Sequence, residues 1–209
     1  DINENRIDQL INGCDITNEV NRNDLKEMKN IIFTSEKNKL IDCDIFIITV
    51  PTPINKKKQP DLSPLIKASK TVGHALSKRK LFIAKKNIQT IPTVIYESTV
   101  FPGATEEVCI PIIENYSDLK LNNMDPLKGF VAGYSPERIN PGDKEHSLKT
   151  IIKITSGSNN MASEFINSLY SLIISAGTFP VSSIKIAEAA KVIENTQRDL
   201  NIALINELA

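Results

Sequence analysis

Glu137, Lys191 and Asn195 are residue types that together could move a proton and stabilise a developing charge. A carboxylate can take up or release a proton. An ammonium and a side-chain amide aimed at an incipient oxyanion stabilise charge that the ground-state alcohol lacks. Lys191 and Asn195 stand four apart in a helical pattern, so one helix face could present both to one oxygen. Two solvated helix residues would have the same spacing. Glu137 lies beside Arg138 in a loop dense in Pro and Gly, which suits a site better than a solvated run, although an exposed loop glutamate reads the same way. Ser98 and Thr99 follow the apolar run Val94-Ile-Tyr96, and Thr52 follows another. Thr99 reads equally as a helix cap near Pro102.

Alternating strands and helices must position these residues. Helical spacing starts almost at the first residue, with Ile2, Ile7, Leu10 and Ile11, and a short helix over 21–28 and a strand over 31–34 follow. The nearly continuous apolar run Asp44 to Val50 predicts a parallel strand buried on both faces, stopped by Pro51. A helix is expected over 64–77, capped from 61–63, and 81–92 has an ambiguous period that suits an inserted turn or strand. A strand at 94–96 and a helix over 104–115 come next. Strands are then expected at 129–134 and 151–156, with the loop 135–146 between them. A helix over 158–174, a strand near 178–182 and a long helix from 183 to the end complete the pattern. This order argues for a doubly wound α/β sheet whose ligands sit at the carboxyl ends of the strands, near Thr52, Ser98, Thr99 and the loop after Tyr134.

No G-x-G-x-x-G occurs, so the turn that brings backbone N–H groups onto a pyrophosphate is missing from the sequence. The missing loop and the abrupt start have one explanation, that the first strand, glycine loop and first helix lie before Asp1. Asp1 would then stand at the tip of a second strand, where a carboxylate accepts hydrogen bonds from an adenosine ribose. A surface aspartate capping the next helix is the competing reading.

Composition narrows the class. The 209 residues suggest one core and part of a second at about 150 residues per domain. With 41% hydrophobic and 24% charged residues the chain is globular in type. Lys+Arg 25 against Asp+Glu 25 gives no basic excess to attract nucleic acid or an acidic membrane. The longest apolar stretches are far below the roughly 20 residues that span a bilayer. Three cysteines suit a reducing compartment, so a cytoplasmic protein without a metal site is expected.

The segments Asp1-Ile-Asn-Glu-Asn-Arg6, Ile48-Thr-Val-Pro-Thr-Pro-Ile-Asn55, Gln59-Pro-Asp-Leu-Ser-Pro-Leu-Ile-Lys-Ala-Ser69, Tyr96-Glu-Ser-Thr-Val-Phe-Pro-Gly103, Gly133-Tyr-Ser-Pro-Glu-Arg-Ile-Asn-Pro-Gly-Asp143 and Ala187-Glu-Ala-Ala-Lys-Val-Ile-Glu-Asn-Thr-Gln-Arg-Asp199 resemble the UDP-glucose/GDP-mannose dehydrogenase family. The likeness covers nearly the whole chain and is interrupted at about 79–92. It implies an incomplete Rossmann-like NAD-binding domain over 1–182, followed from 183–209 by the start of an all-helical central dimerisation domain. The family oxidises the C6 hydroxymethyl of a nucleotide sugar to a carboxylate, using two NAD and a cysteine thioester.

Carried onto this chain, the resemblance puts Asp1 with Arg6 on the adenosine ribose side and Thr52 with Ser98 along the nicotinamide cleft. It makes Thr99 the group that positions the hydrolytic water, Glu137 the acid/base, and Lys191 with Asn195 the oxyanion stabilisers. Arg138 and Arg198 are expected on the substrate. A second carboxylate of the glucose-oxidising branch falls here on Pro141, which favours a UDP-N-acetylhexosamine, with UDP-N-acetylglucosamine the expected substrate, for surface polysaccharide synthesis. A homodimer is expected of the full-length protein, through a helix whose apolar positions are Ile186, Ala190, Ile193, Leu200, Ala203 and Leu204.

The family's cysteine lies beyond Ala209. Cys14, Cys43 and Cys109 read as small buried or half-buried hydrophobes rather than substitutes for it. Taken as it stands, the chain should not complete the second oxidation. It is either a portion of the dehydrogenase or an incomplete remnant with at most weak nucleotide or partner binding.

Overall fold

The computed structural model describes residues 1–17, 20–86, 89–138 and 150–209. They form two compact units, Asp1–Leu40 and Ile41–Ala209. In the first unit, helix α1 (Glu4–Ile11) starts where the Asn3 side chain accepts the Arg6 N–H, and α2 (Arg22–Glu27) is capped likewise by Asn21. Both caps satisfy amide hydrogens that have no partner within the helix. The strand expected at 31–34 does not form. Ile31 and Ile32 are 49% and 75% exposed, and without a ladder partner β-branched residues do not make a strand. A 3-10 turn (Lys37–Asp42) follows.

The second unit is built on β1 (Ile45–Ile48), β2 (Thr93–Tyr96), β3 (Lys120–Leu121), β4 (Gly129–Tyr134), β5 (Lys153–Gly157) and β6 (Thr178–Pro180). The strand order is β1-β2-β4-β5-β6, with β3 paired to β4. Neighbours run parallel except β4 and β5, which are antiparallel. The two-sided burial expected of the 44–50 run is not found in β1, whereas β2 and β4 are buried at every residue. In β1 Phe46 and Ile48 face the core while Ile47 is 48% exposed, because β1 ends the row of described strands.

Helix α3 (Ser63–Lys86) does not stop at Ser77. The stripe Leu65, Ser69, Val72, Leu76, Arg79 and Ile83 is buried throughout, and Arg79 behaves as a core residue, which hid the period in the sequence. At Gly73 a Cβ would come within 2.7 Å of the Tyr116 Cβ, so glycine lets α3 approach α4 (Ile110–Ser117) closely. A π turn (Thr105–Cys109) precedes α4, just before Pro111, which has no N–H for the ladder. Helix α5 (Asn160–Ser171) packs Ile166 and Tyr170 onto Ile95 of β2, burial worth about 1.5–3 kcal/mol per large apolar side chain. Helix α6 (Ile184–Leu208) starts at the Ser183 cap. Among the described residues no helix is long and apolar enough to cross a membrane.

Candidate active site

The parallel strands β1 and β2 end side by side, and their following loops are tied together by two hydroxyls. Thr52 Oγ1 donates to the Thr99 carbonyl at 2.6 Å, and Ser98 Oγ donates to the Val50 carbonyl at 2.6 Å. The Tyr134 hydroxyl, at the end of β4, donates to the Ser98 carbonyl at 3.1 Å. Ser98 is buried, Thr52 half-buried and Thr99 exposed. Hydroxyl-to-carbonyl hydrogen bonds thus join the three carboxyl ends.

Helix α6 brings the charged groups to this end of the sheet. Buried Glu188 accepts the Gly103 and Thr105 N–H groups, the latter at 2.9 Å, and so fastens the first turns of α6 to the loop after β2. One turn on, Lys191 is buried rather than solvated, and burial lowers its pKa from the ordinary lysine value while Glu194 and Glu137 push it back up. Arg138 Nε donates to Glu194 Oε2 at 3.0 Å and its Nη1 to the Ile152 carbonyl at 3.2 Å. Arg198 lies 4.0 Å from Glu194 and donates to the Asn195 side-chain oxygen. Glu137, half-buried, accepts the Arg138 N–H at 2.7 Å and faces Lys153 at 3.6 Å. Arg138 and Arg198 therefore meet at Glu194, which sequence reasoning missed, with Lys191 within its electrostatic reach.

Glu188, Lys191, Glu194 and Arg198 recur every three or four residues. This polar stripe along the helix was the available signal for Glu188 and Glu194. Pro141 lies outside the described residues, as does most of the loop 135–146.

Asp1 and Arg6 belong to the first unit. Asp1 is exposed; its carboxylate accepts the Asn3 N–H at 2.9 Å, and its α-amino group donates to the Thr34 carbonyl at 3.0 Å. It stands before α1, whose cap is Asn3 and not Asp1. Arg6 pairs with Asp15 at 2.6 Å. Hydrogen bonds from the Thr17 hydroxyl, the Val20 N–H and Arg6 hold the Asp15 carboxyl well below the usual carboxylate range.

The cysteines differ from one another more than expected. Cys14 is exposed, not a buried hydrophobe, because it follows the α1 terminus in a turn. Cys43 is half-buried and Cys109 buried. Burial raises both thiols, Cys109 to about 11, so at neutral pH neither is a thiolate nucleophile.

Uncharged hydroxyls at the carboxyl ends of adjacent parallel strands fit the nicotinamide end of a dinucleotide, the crevice where doubly wound sheets bind such cofactors. The sequence supplies no glycine-rich cradle for its pyrophosphate.

Comparison with known proteins gives the family. The chain is 56% identical over all 209 residues to UDP-N-acetyl-D-glucosamine 6-dehydrogenase of Pseudomonas aeruginosa, of which it covers 46%. It is 54% identical over its whole length to the Salmonella typhi enzyme of the same name, covering 45%. The chain thus spans under half the length of these curated relatives. Its fold matches the solved UDP-D-ManNAc dehydrogenase of Pyrococcus horikoshii with a TM-score of 0.82 at 29% identity, over 99% of this chain and 46% of that one. Residues 1–174 match the model of the UDP-glucose/GDP-mannose dehydrogenase family NAD binding domain, and the chain belongs to that family.

Proposed function

We propose that this chain is the NAD-binding portion of a dehydrogenase that oxidises the C6 hydroxymethyl of UDP-N-acetylglucosamine to the carboxylate. The observation that carries the reading is the buried Lys191, one turn from Asn195 on α6, within electrostatic reach of Glu137 and Arg138. Identity of 54–56% along the whole chain to enzymes named for this substrate supports the choice of sugar.

Thr52 and Ser98 would line the nicotinamide end of NAD. When bound, NAD supplies acceptance of a hydride. Glu137 takes the proton of the C6 hydroxyl, while the Lys191 ammonium and the Asn195 amide meet the alkoxide charge that grows as the C–H bond weakens. Arg138 and Arg198, held by Glu194, face the anionic end of the nucleotide sugar. Thr99 positions the water for the later hydrolysis.

On this reading residues 1–182 form the NAD-binding domain, 183–209 open a central helical domain, and the whole protein is a cytoplasmic homodimer.

The test is to purify the gene product in which these residues occur and follow NADH formation with UDP-N-acetylglucosamine, UDP-N-acetylgalactosamine and UDP-glucose. Turnover fastest with the first is expected. Preference for UDP-glucose would overturn the sugar assignment, and no NADH with any of them would overturn the activity.

A further inference from the structure

Lys153 opens β5. The antiparallel register of β4 and β5 pairs Gly133 with Gly157 and Tyr134 with Ser156, and continuing it carries Lys153 opposite Glu137. The Lys153 side chain is 4% exposed, and its Nζ makes no hydrogen bond. Two carboxylates flank it, Glu97 at 3.3 Å and Glu137 at 3.6 Å, and the Tyr170 ring lies beneath with its centroid 5.2 Å away. Glu97 is not free to follow the ammonium, because it also accepts the Tyr170 hydroxyl. A buried ammonium needs compensation, and here two carboxylates supply it by charge. Glu97 is held in turn by the Tyr170 hydroxyl and Glu137 by the Arg138 N–H.

We infer that Lys153 is a positioning residue for Glu137: backed by Glu97 and Tyr170, its ammonium holds one oxygen of the Glu137 carboxylate while the Arg138 N–H holds the other. This fixes the orientation from which Glu137 meets the substrate hydroxyl. The inference rests on the role given to Glu137 above. Lys153 itself touches neither substrate nor cofactor. Glu97 and Tyr170 keep the cation buried at the carboxyl end of the sheet, where an uncompensated ammonium would otherwise turn to solvent.

The experiment uses the whole gene product. Lys153→Met alone strands Glu97 as a buried unpaired charge, so the informative variant is Lys153→Met/Glu97→Gln, which leaves Tyr170 an acceptor. Expected are a kcat at least about tenfold lower with KM for NAD within about twofold, recovery by Lys153→Arg to within about threefold, and no further loss when the pair is added to Glu137→Gln. Crystal structures give a readout independent of turnover. Glu137 should occupy one rotamer in the parent and in Lys153→Arg, and several in the paired variant. A paired variant with parental kcat and a single Glu137 rotamer, or a loss that multiplies with that of Glu137→Gln, overturns the inference. An inactive parent overturns the proposed function instead, and the rotamers then decide the positioning role by themselves.

Discussion

Arg79 and Lys153 are both cations buried against the same sheet, at its opposite ends, and the structure treats them differently. Arg79, at the amino end, donates to the Cys43 carbonyl at 3.1 Å, to the Asp44 carboxylate, and to the Thr90 hydroxyl and carbonyl at 2.9 and 3.3 Å. Its Nε and Nη2 both find acceptors in the fixed geometry of the guanidinium. Lys153, at the carboxyl end, has carboxylates nearby and no hydrogen bond. A buried cation held by several hydrogen bonds locks a fold. An unsaturated one keeps interaction energy available to a group that must be oriented for chemistry. The difference follows the rule that open α/β sheets place their ligands at the carboxyl ends of strands and leave the other end to stability.

The comparison breaks if cations at the two ends exchange effects. The largest expected effect is on turnover at the carboxyl end. Lys191→Met should lower kcat by about 10²–10³-fold, the usual loss of one oxyanion stabiliser, with little change in the denaturation midpoint. Because burial lowers the Lys191 pKa, turnover of the parent should also decline with rising pH before an ordinary lysine would lose its proton, and a pH–rate profile checks this.

At the amino end Arg79→Met should cost about 3 kcal/mol of stability by urea denaturation while kcat stays within about threefold, since the substitution strands groups far from the chemistry. A large loss of kcat at unchanged stability would abolish the distinction.

A smaller effect is expected in the first unit, where the Arg6–Asp15 pair is exposed to titration. Asp15 has a lowered folded-state pKa, so its contribution is full above the unfolded value of about 4 and is lost as pH falls through the folded one. Asp15→Asn should therefore speed exchange of the Ile7 and Leu25 amides at neutral pH, and the gap to the parent should close in strong acid.

The smallest effect belongs to the outer half of α6. Leu200 and Leu204 are 66% and 57% exposed, and Leu204→Glu should raise solubility while changing the stability of this chain by less than about 0.5 kcal/mol.

Local patterns made much of the frame readable. The runs at 45–48, 93–96 and 129–134 became strands: the first two are wholly β-branched or aromatic, and the third carries Phe130, Val131 and Tyr134. The i, i+4 spacing of Lys191 and Asn195 placed them on one face before any contact was known. Two expectations failed for opposite reasons. The 31–34 run had strand composition but no partner to pair with, and the end of α3 had helical geometry hidden by a buried arginine that reads as a surface residue. Sidedness of β1 was likewise invisible, since an edge and a centre can share one composition.

The sequence by itself determined the alternation of strands and helices, the family, and which side chains carry a titratable or hydrogen-bonding group, because these depend on residue type and short-range spacing. Only the tertiary structure decided which charges are buried, that Glu188 fastens α6 to the loop after β2, that Glu194 gathers Arg138 and Arg198, and that Lys153 lies against Glu97 and Glu137. Those partners stand far apart along the chain, and their pairing follows from how the sheet and helices pack rather than from any local pattern.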